Sequence, residues 1–144
     1  MTNSNFKWEN KSLEELENHQ WGEPTYSSHL VTTTYALRKK KLCEFEVEDL
    51  RIMIGQNMSL PHLIPMALDV LEDNILAEGA YYEGDLLKMV LSCEEEYWKE
   101  NRENYRIMKV LFKQNKQRLK QFDILDKIKE EWFEAFEHFK HIQP

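Results

Sequence analysis

The chain has 144 residues, of which 42% are hydrophobic and 12% aromatic, enough to build the core of one domain over residues 1–144. Its four glycines and four prolines are too few for the many tight turns of a β-sandwich or barrel. The net charge of −7 is unevenly distributed, because residues 1–100 hold 9 Lys or Arg against 19 Asp or Glu, a net charge of −10. So acidic a segment repels nucleic acid and attracts basic proteins.

Residues 1–11 are expected to be loosely ordered, and helix signals begin directly after them. Ser12–Glu15 reads as a capping box, which predicts a short helix from Leu13 to about Asn18. Apolar residues at near-helical spacing then favour a helix within residues 26–42, whose basic C-terminal end suits the helix dipole. The run Thr32–Thr34 is β-prone, so a strand remains open at that point.

Two further helices are predicted before the middle of the chain. The segment Val47–Ile54 has acids in its first turn and should form a short helix that ends at Gly55. Ser59 is placed to cap a second helix from Leu60 to about Asn74, with a broad apolar stripe. Pro65 lies inside that helix, so we expect a kink or a break near it.

The sequence AEGAYYEGDLLKMVL (residues 77–91) holds two of the four glycines and predicts a corner between two helices. Gly79 suits a helix C-terminus that needs a positive φ, and Asp85 can cap the next helix or lie in its first turn. The adjacent Tyr81 and Tyr82 should lie across the corner, with rings partly buried and hydroxyls in water.

Three more helices follow. One is expected from Asp85 to about Asn101 and another from about Glu103 to Gln121. Asp123 can cap a last helix, whose apolar residues recur from Ile124 to Phe139. The sum is an all-α protein, a compact bundle of about six or seven helices.

Signals for catalysis are weak, and we expect neither catalytic residues nor a cofactor. The chain has no Gly-rich phosphate loop, no HExxH and no paired CxxC. Glu134, His138 and His141 share one helix face and could bind a metal ion, although such residues are more often a solvated face. Cys93 precedes the acidic run Glu94–Glu96, which should raise the pKa of its thiol and keep it unreactive.

A basic helix face near the C-terminus could suggest RNA, but it lacks the interleaved aromatics of an RNA-binding module. That face holds Arg102, Arg106, Lys109, Lys113, Lys116, Arg118 and Lys120. No apolar run is long enough to span a membrane, and no apolar leader precedes the first helix. With only two cysteines, the chain is expected to be a soluble cytoplasmic protein.

Residues 47–91 resemble a known family. The run reads L-R-x-x-I-G-Q at 50–56, L-x-x-L-x-P-x-A-L at 60–68 and N-x-L-x-E-G-x-x-Y-x-G-D-L-L at 74–87. This pattern is similar to that of the helical immunity proteins of bacterial contact-dependent growth inhibition, the CdiI proteins. The resemblance extends over roughly residues 12–98, and Ile75 and Glu83 depart from it where relatives often have proline. It implies structural roles for Gly55, Pro65, Gly79, Tyr82, Gly84, Asp85, Leu86 and Leu87.

The resemblance implies a protein that binds rather than catalyses. Its partner would be the C-terminal toxin domain of a CdiA effector, often a basic nuclease, which it would block either at the active site or beside it. Exposed acids with aromatics nearby are the candidate contacts. They are Glu72, Asp73, Tyr81, Glu83, Glu94, Glu95, Glu96 and Trp98. The alternatives are a helical adaptor or regulatory module and a small metal-dependent hydrolase.

Overall fold

The structure is a computed structural model that describes residues 10–24 and 28–144. The expectation that residues 1–11 are loosely ordered therefore concerns mostly residues outside the described ranges. Within the described ranges the chain forms nine α-helices and one 3₁₀ turn, with two isolated β-bridges and no strand. The all-α prediction is confirmed, and the predicted number of helices was too low. The helices are α1 (Leu13–Glu17), α2 (His29–Lys39), α3 (Val47–Gly55), α4 (Leu60–Asp73), α5 (Asp85–Ser92), α6 (Glu95–Glu100), α7 (Arg102–Gln114), α8 (Lys116–Gln121) and α9 (Asp126–Phe139), with the 3₁₀ turn at Leu42–Glu44.

The first four helices follow the sequence signals closely. The Ser12 hydroxyl accepts a hydrogen bond from the Glu15 amide and the Glu15 carboxylate accepts one from the Ser12 amide, so the capping box is formed. The threonine run lies inside α2, not in a strand. Helix α4 is continuous past Pro65, so the predicted break is absent, and burial of its apolar stripe offsets the lost backbone bond. Ser59 precedes α4 with a φ of 53° and no side-chain cap bond.

Two long predicted helices are each divided in two. The helix expected over 85–101 stops at Cys93, whose backbone is extended, and the Asn57 side chain accepts the freed Glu94 amide at 2.8 Å. The helix expected over 103–121 is interrupted at Asn115, whose side-chain amide donates to the Leu111 carbonyl and competes with the backbone. Asp123 does not cap the last helix, because α9 begins at Asp126.

Helices α3, α5 and α9 run in the same direction through the core. The Ala80 amide, just before α5, donates to Glu48 at the start of α3. The Glu94 amide, just after α5, contacts Asn57 beyond the end of α3. Trp132 of α9 donates its indole N–H to the Gly84 carbonyl at 3.1 Å. One end of this layer therefore carries the segment between α4 and α5, which we call the joint (residues 74–84).

The buried apolar side chains form one continuous cluster. Its largest members are Trp98, Trp132, Phe112 and Phe139. The rings of Phe112 and Phe136 stack with centroids 4.0 Å apart, which ties α7 to α9. None of the helices in the described ranges combines the length and the apolar character that crossing a membrane requires.

Candidate functional site

The acids and aromatics predicted as contacts are divided between the two ends of α5. Tyr81 and Glu83 lie in the joint before α5, and Glu72 and Asp73 lie at the end of α4 that leads into the joint. Glu94–Glu96 follow the opposite end of α5. Since α5 has eight residues at a rise of about 1.5 Å each, the two groups are separated by at least ~12 Å along its axis. The predicted residues therefore form two acidic surfaces and not one.

The surface at the C-terminal end of α5 is acidic but lacks the expected aromatic. Glu94, Glu95 and Glu96 are exposed, and Glu95 lies 2.8 Å from the His138 ring nitrogen. Trp98, predicted as a toxin contact beside them, is 0% exposed. Its ring packs edge-on against Phe139 with centroids 5.0 Å apart, so Trp98 fills the core and offers no surface to a partner.

Two of the three possible metal ligands near the C-terminus contact other side chains. His138 contacts Glu95, and His141 contacts Glu137 at 3.2 Å. Within residues 10–24 and 28–144, no three His, Cys, Asp or Glu side chains come together as a set that could hold a metal ion. Burial raises the pKa of the Cys93 thiol to about 12, and the charge of Glu94 acts in the same direction, so the thiol stays protonated at neutral pH.

The joint is organised around one buried carboxylate. Asp85 is 2% exposed and lies in the first turn of α5. Its Oδ1 accepts the Gly79 amide at 2.7 Å, and its Oδ2 accepts the amides of Tyr81 at 3.0 Å and Tyr82 at 3.3 Å. An acid at a helix N-terminus is favoured by the helix dipole, and here it also satisfies three amides of the joint.

A second carboxylate fixes the joint from α3. Glu48 accepts the Ala80 amide at 2.7 Å and receives two hydrogen bonds from Arg51, both at 2.6 Å. The Arg51 guanidinium lowers the pKa of the Glu48 carboxyl, and the Ala80 amide adds to that effect. Arg51 also lies 4.5 Å from the centre of the Tyr81 ring. Tyr81, which is 72% exposed, is thus held in place by a cation–π contact.

The two glycines of the joint allow close approach of neighbouring groups. The sequence suggested that Gly79 ends α4 with a positive φ. Both expectations were wrong, because α4 ends earlier at Asp73 and Gly79 does not have a positive φ. A Cβ on Gly79 would lie 2.5 Å from Glu48 Oε1, so the residue leaves room for that carboxylate. Gly84 has a φ of +87°, and a Cβ there would lie 2.3 Å from Trp132 Cζ2.

A groove of about 530 Å³ opens beside the joint. The 3₁₀ turn, the start of α3, the second half of α4 and the joint form its walls. We call it the acidic groove, because four carboxylates stand among its apolar lining residues. It is lined by Leu42, Cys43, Phe45, Glu46, Val47, Leu50, Met66, Asp69, Val70, Asp73, Asn74, Ala77 and Glu78.

The segment that builds the groove is strongly acidic. Residues 42–87 contain ten Asp or Glu and one Lys or Arg, a net charge of −10 + 1 = −9. Of the predicted contacts, Asp73 lines the acidic groove. Glu72 lies on the neighbouring side of α4, near Asn104 and Ile107 of α7.

Sequence reasoning missed three acids of the groove, namely Glu46, Asp69 and Glu78. The sequence of α4 does contain a signal for the groove. Met66, Asp69, Val70 and Asp73 recur at i, i+3, i+4 and i+7, which places apolar and acidic side chains on a second face of that helix.

Comparison with known proteins places these features in a family. Residues 15–108 match the family model described as CDI immunity proteins, where CDI is contact-dependent growth inhibition. The match covers about two thirds of the chain and includes the joint and every residue that lines the acidic groove. No curated protein and no solved structure matches the chain. The chain therefore belongs to the family of CDI immunity proteins.

Proposed function

We propose that this chain binds the C-terminal toxin domain of a CdiA-type effector in the cytoplasm and neutralises it without catalysing a reaction. The observation that carries the proposal is the family match over residues 15–108. An immunity protein acts by occupying its toxin, so its own residues need only bind. In keeping with this, Glu48 and Arg51 beside the joint, whose pKa values are shifted, are paired with each other, and Glu48 also accepts the Ala80 amide.

The charge of the chain favours a basic toxin domain, and we propose a nuclease. Nucleases bind a polyanion, so their substrate surfaces are positively charged. The net charge of −9 over residues 42–87 supplies a complementary field, which raises the association rate and selects against acidic partners. Acids that cover such a substrate surface would also exclude RNA or DNA from it.

Both acidic surfaces at the ends of α5 are proposed to contribute to binding. Glu72, Asp73, Tyr81 and Glu83 lie at the joint end, and Glu94–Glu96 lie at the other. A standard interface buries about 800 Å² of each partner, which is wide enough to include both ends of an eight-residue helix. Exposed acids away from the centre of an interface act mainly on the association rate.

The proposal is tested by titrating the chain with the toxin domain encoded immediately upstream of its gene. We expect a 1:1 complex with a dissociation constant below about 1 μM, which weakens as salt is raised because charges on the two partners are screened. In a nuclease assay the toxin domain should lose activity as the complex forms. Failure to form a complex at micromolar concentrations, with both proteins folded, would refute the proposal.

Charge-reversal variants test the role of the acids. Glu95→Lys with Glu96→Lys should slow association and flatten its dependence on salt. The matched control is Glu130→Lys with Glu134→Lys, which changes the net charge by the same amount on exposed positions of α9. Equal effects of the two double variants would show that only the total charge matters and that α6 has no specific role.

A further inference from the structure

We infer that residues 78–83 are the central anchor of the toxin complex, and that they enter the cleft in which the toxin holds an unpaired nucleotide of its substrate. We call this part of the joint the tyrosine loop, after Tyr81. The inference rests on the proposed function, because it takes the toxin to be a nuclease. It favours a block at the active site of the toxin over a block beside it.

Tyr81 offers a partner an exposed aromatic ring. It is 72% exposed, whereas every other Phe, Trp and Tyr ring of the described residues is buried or half-buried. Arg51 lies 4.5 Å from the centre of this ring, so it covers one face and leaves the other face to a partner. Tyrosine is enriched where interface energy concentrates, because it combines a large apolar contact with a hydroxyl at a small cost in side-chain entropy.

The tyrosine loop keeps its shape without a partner. An antiparallel bridge between Glu78 and Glu83 closes it. The four amides of residues 79–82 are all bonded to carboxylates, three of them to Asp85 and the fourth to Glu48. A loop that is already ordered loses little conformational entropy when a partner binds, so more of its contact energy appears as affinity.

The two ends of the tyrosine loop carry carboxylates that no cation of the chain neutralises. Glu78 and Glu83 lie opposite each other across the antiparallel bridge, and neither has an ion pair or a side-chain hydrogen bond among the described residues. Side chains in this arrangement have Cβ atoms about 4.5–5.5 Å apart, and like charges there destabilise the fold. A cation supplied by a partner would relieve this repulsion, so the pair suits binding better than it suits folding.

The groups of the tyrosine loop match those of one unpaired nucleotide. A single-stranded nucleic acid presents flat base rings along a chain of negative phosphates, and proteins bind it with aromatic side chains in a basic groove. The loop presents the ring of Tyr81 with one carboxylate before it and one after it in the chain. A toxin cleft made for a nucleotide can therefore stack on the open face of the ring while its cations pair with Glu78 and Glu83.

The acids at the other end of α5 do not offer this combination. The two aromatic residues that follow Glu94–Glu96, namely Tyr97 and Trp98, are both buried. Glu95 already contacts His138 at 2.8 Å. These acids therefore belong to the periphery of the interface, where charges act mainly on the association rate.

Substitution of the ring tests the anchor with the purified toxin domain. Tyr81→Ala should weaken binding at least roughly thirtyfold, as expected of a side chain that dominates an interface. Tyr81→Phe should keep the affinity within about threefold, because the ring remains. The matched control is Leu125→Ala, which should also stay within about threefold, since Leu125 is 73% exposed but lies between α8 and α9. If Tyr81→Ala is folded by circular dichroism and binds as tightly as the control, the inference fails and the proposed function stands.

Neutral variants test the two carboxylates. Glu78→Gln with Glu83→Gln should accelerate dissociation of the toxin at least tenfold, whereas Glu95→Gln with Glu96→Gln removes the same charge and should act mainly on association. In urea unfolding of the free chain, the first pair of substitutions should leave the midpoint unchanged or raise it, because the repulsion is gone. Equal dissociation rates for the two double variants, or a lower urea midpoint for the first, would contradict the role given to these carboxylates.

Competition with nucleic acid tests entry into the cleft. The probes are a single-stranded 2′-O-methyl RNA and a single-stranded phosphorothioate DNA, which resist cleavage and represent the substrates of a ribonuclease and a deoxyribonuclease. At least one probe should raise the apparent dissociation constant of the complex in proportion to its concentration. A complex that tolerates both probes, or a toxin domain that binds neither, would overturn the inference and leave toxin binding itself standing. If the unaltered chain forms no complex, the proposed function and this inference both fail.

Discussion

Substitution of Gly84 by alanine tests how the joint is attached to the C-terminal helix. Gly84 has a φ of +87°, and its carbonyl accepts the indole N–H of Trp132 at 3.1 Å. A Cβ at this position would lie 2.3 Å from Trp132 Cζ2, 2.6 Å from Cε2 and 2.8 Å from Nε1. Because Trp132 is fully buried in a close-packed core, its ring can move away only by displacing its neighbours.

The expected cost has two parts. Holding an alanine in a left-handed conformation costs about 1–2 kcal/mol. Overpacking a dense core costs about 1–3 kcal/mol in addition. Gly84→Ala should therefore lower the free energy of unfolding by about 2–5 kcal/mol, a large part of the roughly 5–15 kcal/mol that stabilises a typical domain.

Urea unfolding followed by tryptophan fluorescence measures this loss. Gly22→Ala is the matched control, because Gly22 also has a positive φ, of +75°, but a Cβ there would meet no atom within 4 Å. The control should cost only about 1–2 kcal/mol, the strain of the left-handed backbone alone. In a Trp132→Phe background the further cost of Gly84→Ala should fall to that of the control. Equal costs for the two glycine substitutions in the native background would refute the role assigned to Trp132.

Three further predictions concern the joint and the thiols. Asp85→Asn should destabilise the chain by about 1.5–3 kcal/mol in urea unfolding, because a single neutral acceptor replaces a carboxylate that binds three amides; a loss below about 0.5 kcal/mol would contradict this. Glu48→Gln should lower the free energy of unfolding at pH 7. Because Arg51 lowers the folded-state pKa of Glu48, this loss should shrink as the pH falls below the ordinary carboxyl pKa of about 4.3. An equal loss at pH 7 and pH 3 would count against the Glu48–Arg51 pair as its cause. Maleimide should modify only Cys43 in the native chain at pH 7 and Cys93 as well in denaturant, whereas rapid reaction of both thiols without denaturant would show that Cys93 is not protected.

Local signals in the sequence were sufficient for the early helices. The Ser12–Glu15 capping box and the segment Val47–Gly55 are specified by residues that contact each other within one or two turns. The corner around residues 77–91 was also recognisable, because its glycines and Asp85 lie within a few positions. In such segments the interactions that decide the structure are short in sequence, so a periodic pattern and a capping residue predict them well.

Long-range contacts decided the features that the sequence did not predict. The α5–α6 break depends on Asn57, which accepts the Glu94 amide from 37 positions away. Gly79 was assigned to a helix end, but the absence of a Cβ there leaves room for the Glu48 carboxylate. Because Glu48 is distant in sequence, no local pattern predicts this contact. Trp98 was predicted as a contact because it is an aromatic residue close to the acids Glu94–Glu96, although α6 turns its ring into the core.

The candidate site was predicted only in part, because it too depends on contacts between residues that are distant in sequence. The acidity of the chain was evident from composition, and Asp73 lies in the acidic groove. Glu46 and Glu78 join Asp73 there only because α3, α4 and the joint pack together. Composition thus predicted the sign of the surface, and the packing of three separate segments determined where its carboxylates meet an apolar lining.

The most direct test of the central claim is protection of living cells. Bacteria that produce this chain, and matched cells that do not, are challenged by cells that deliver the toxin domain encoded beside it, and surviving target cells are counted. The account predicts that the producing cells survive. Producing cells that die as readily as the unprotected ones, with the chain present and folded, would contradict the account.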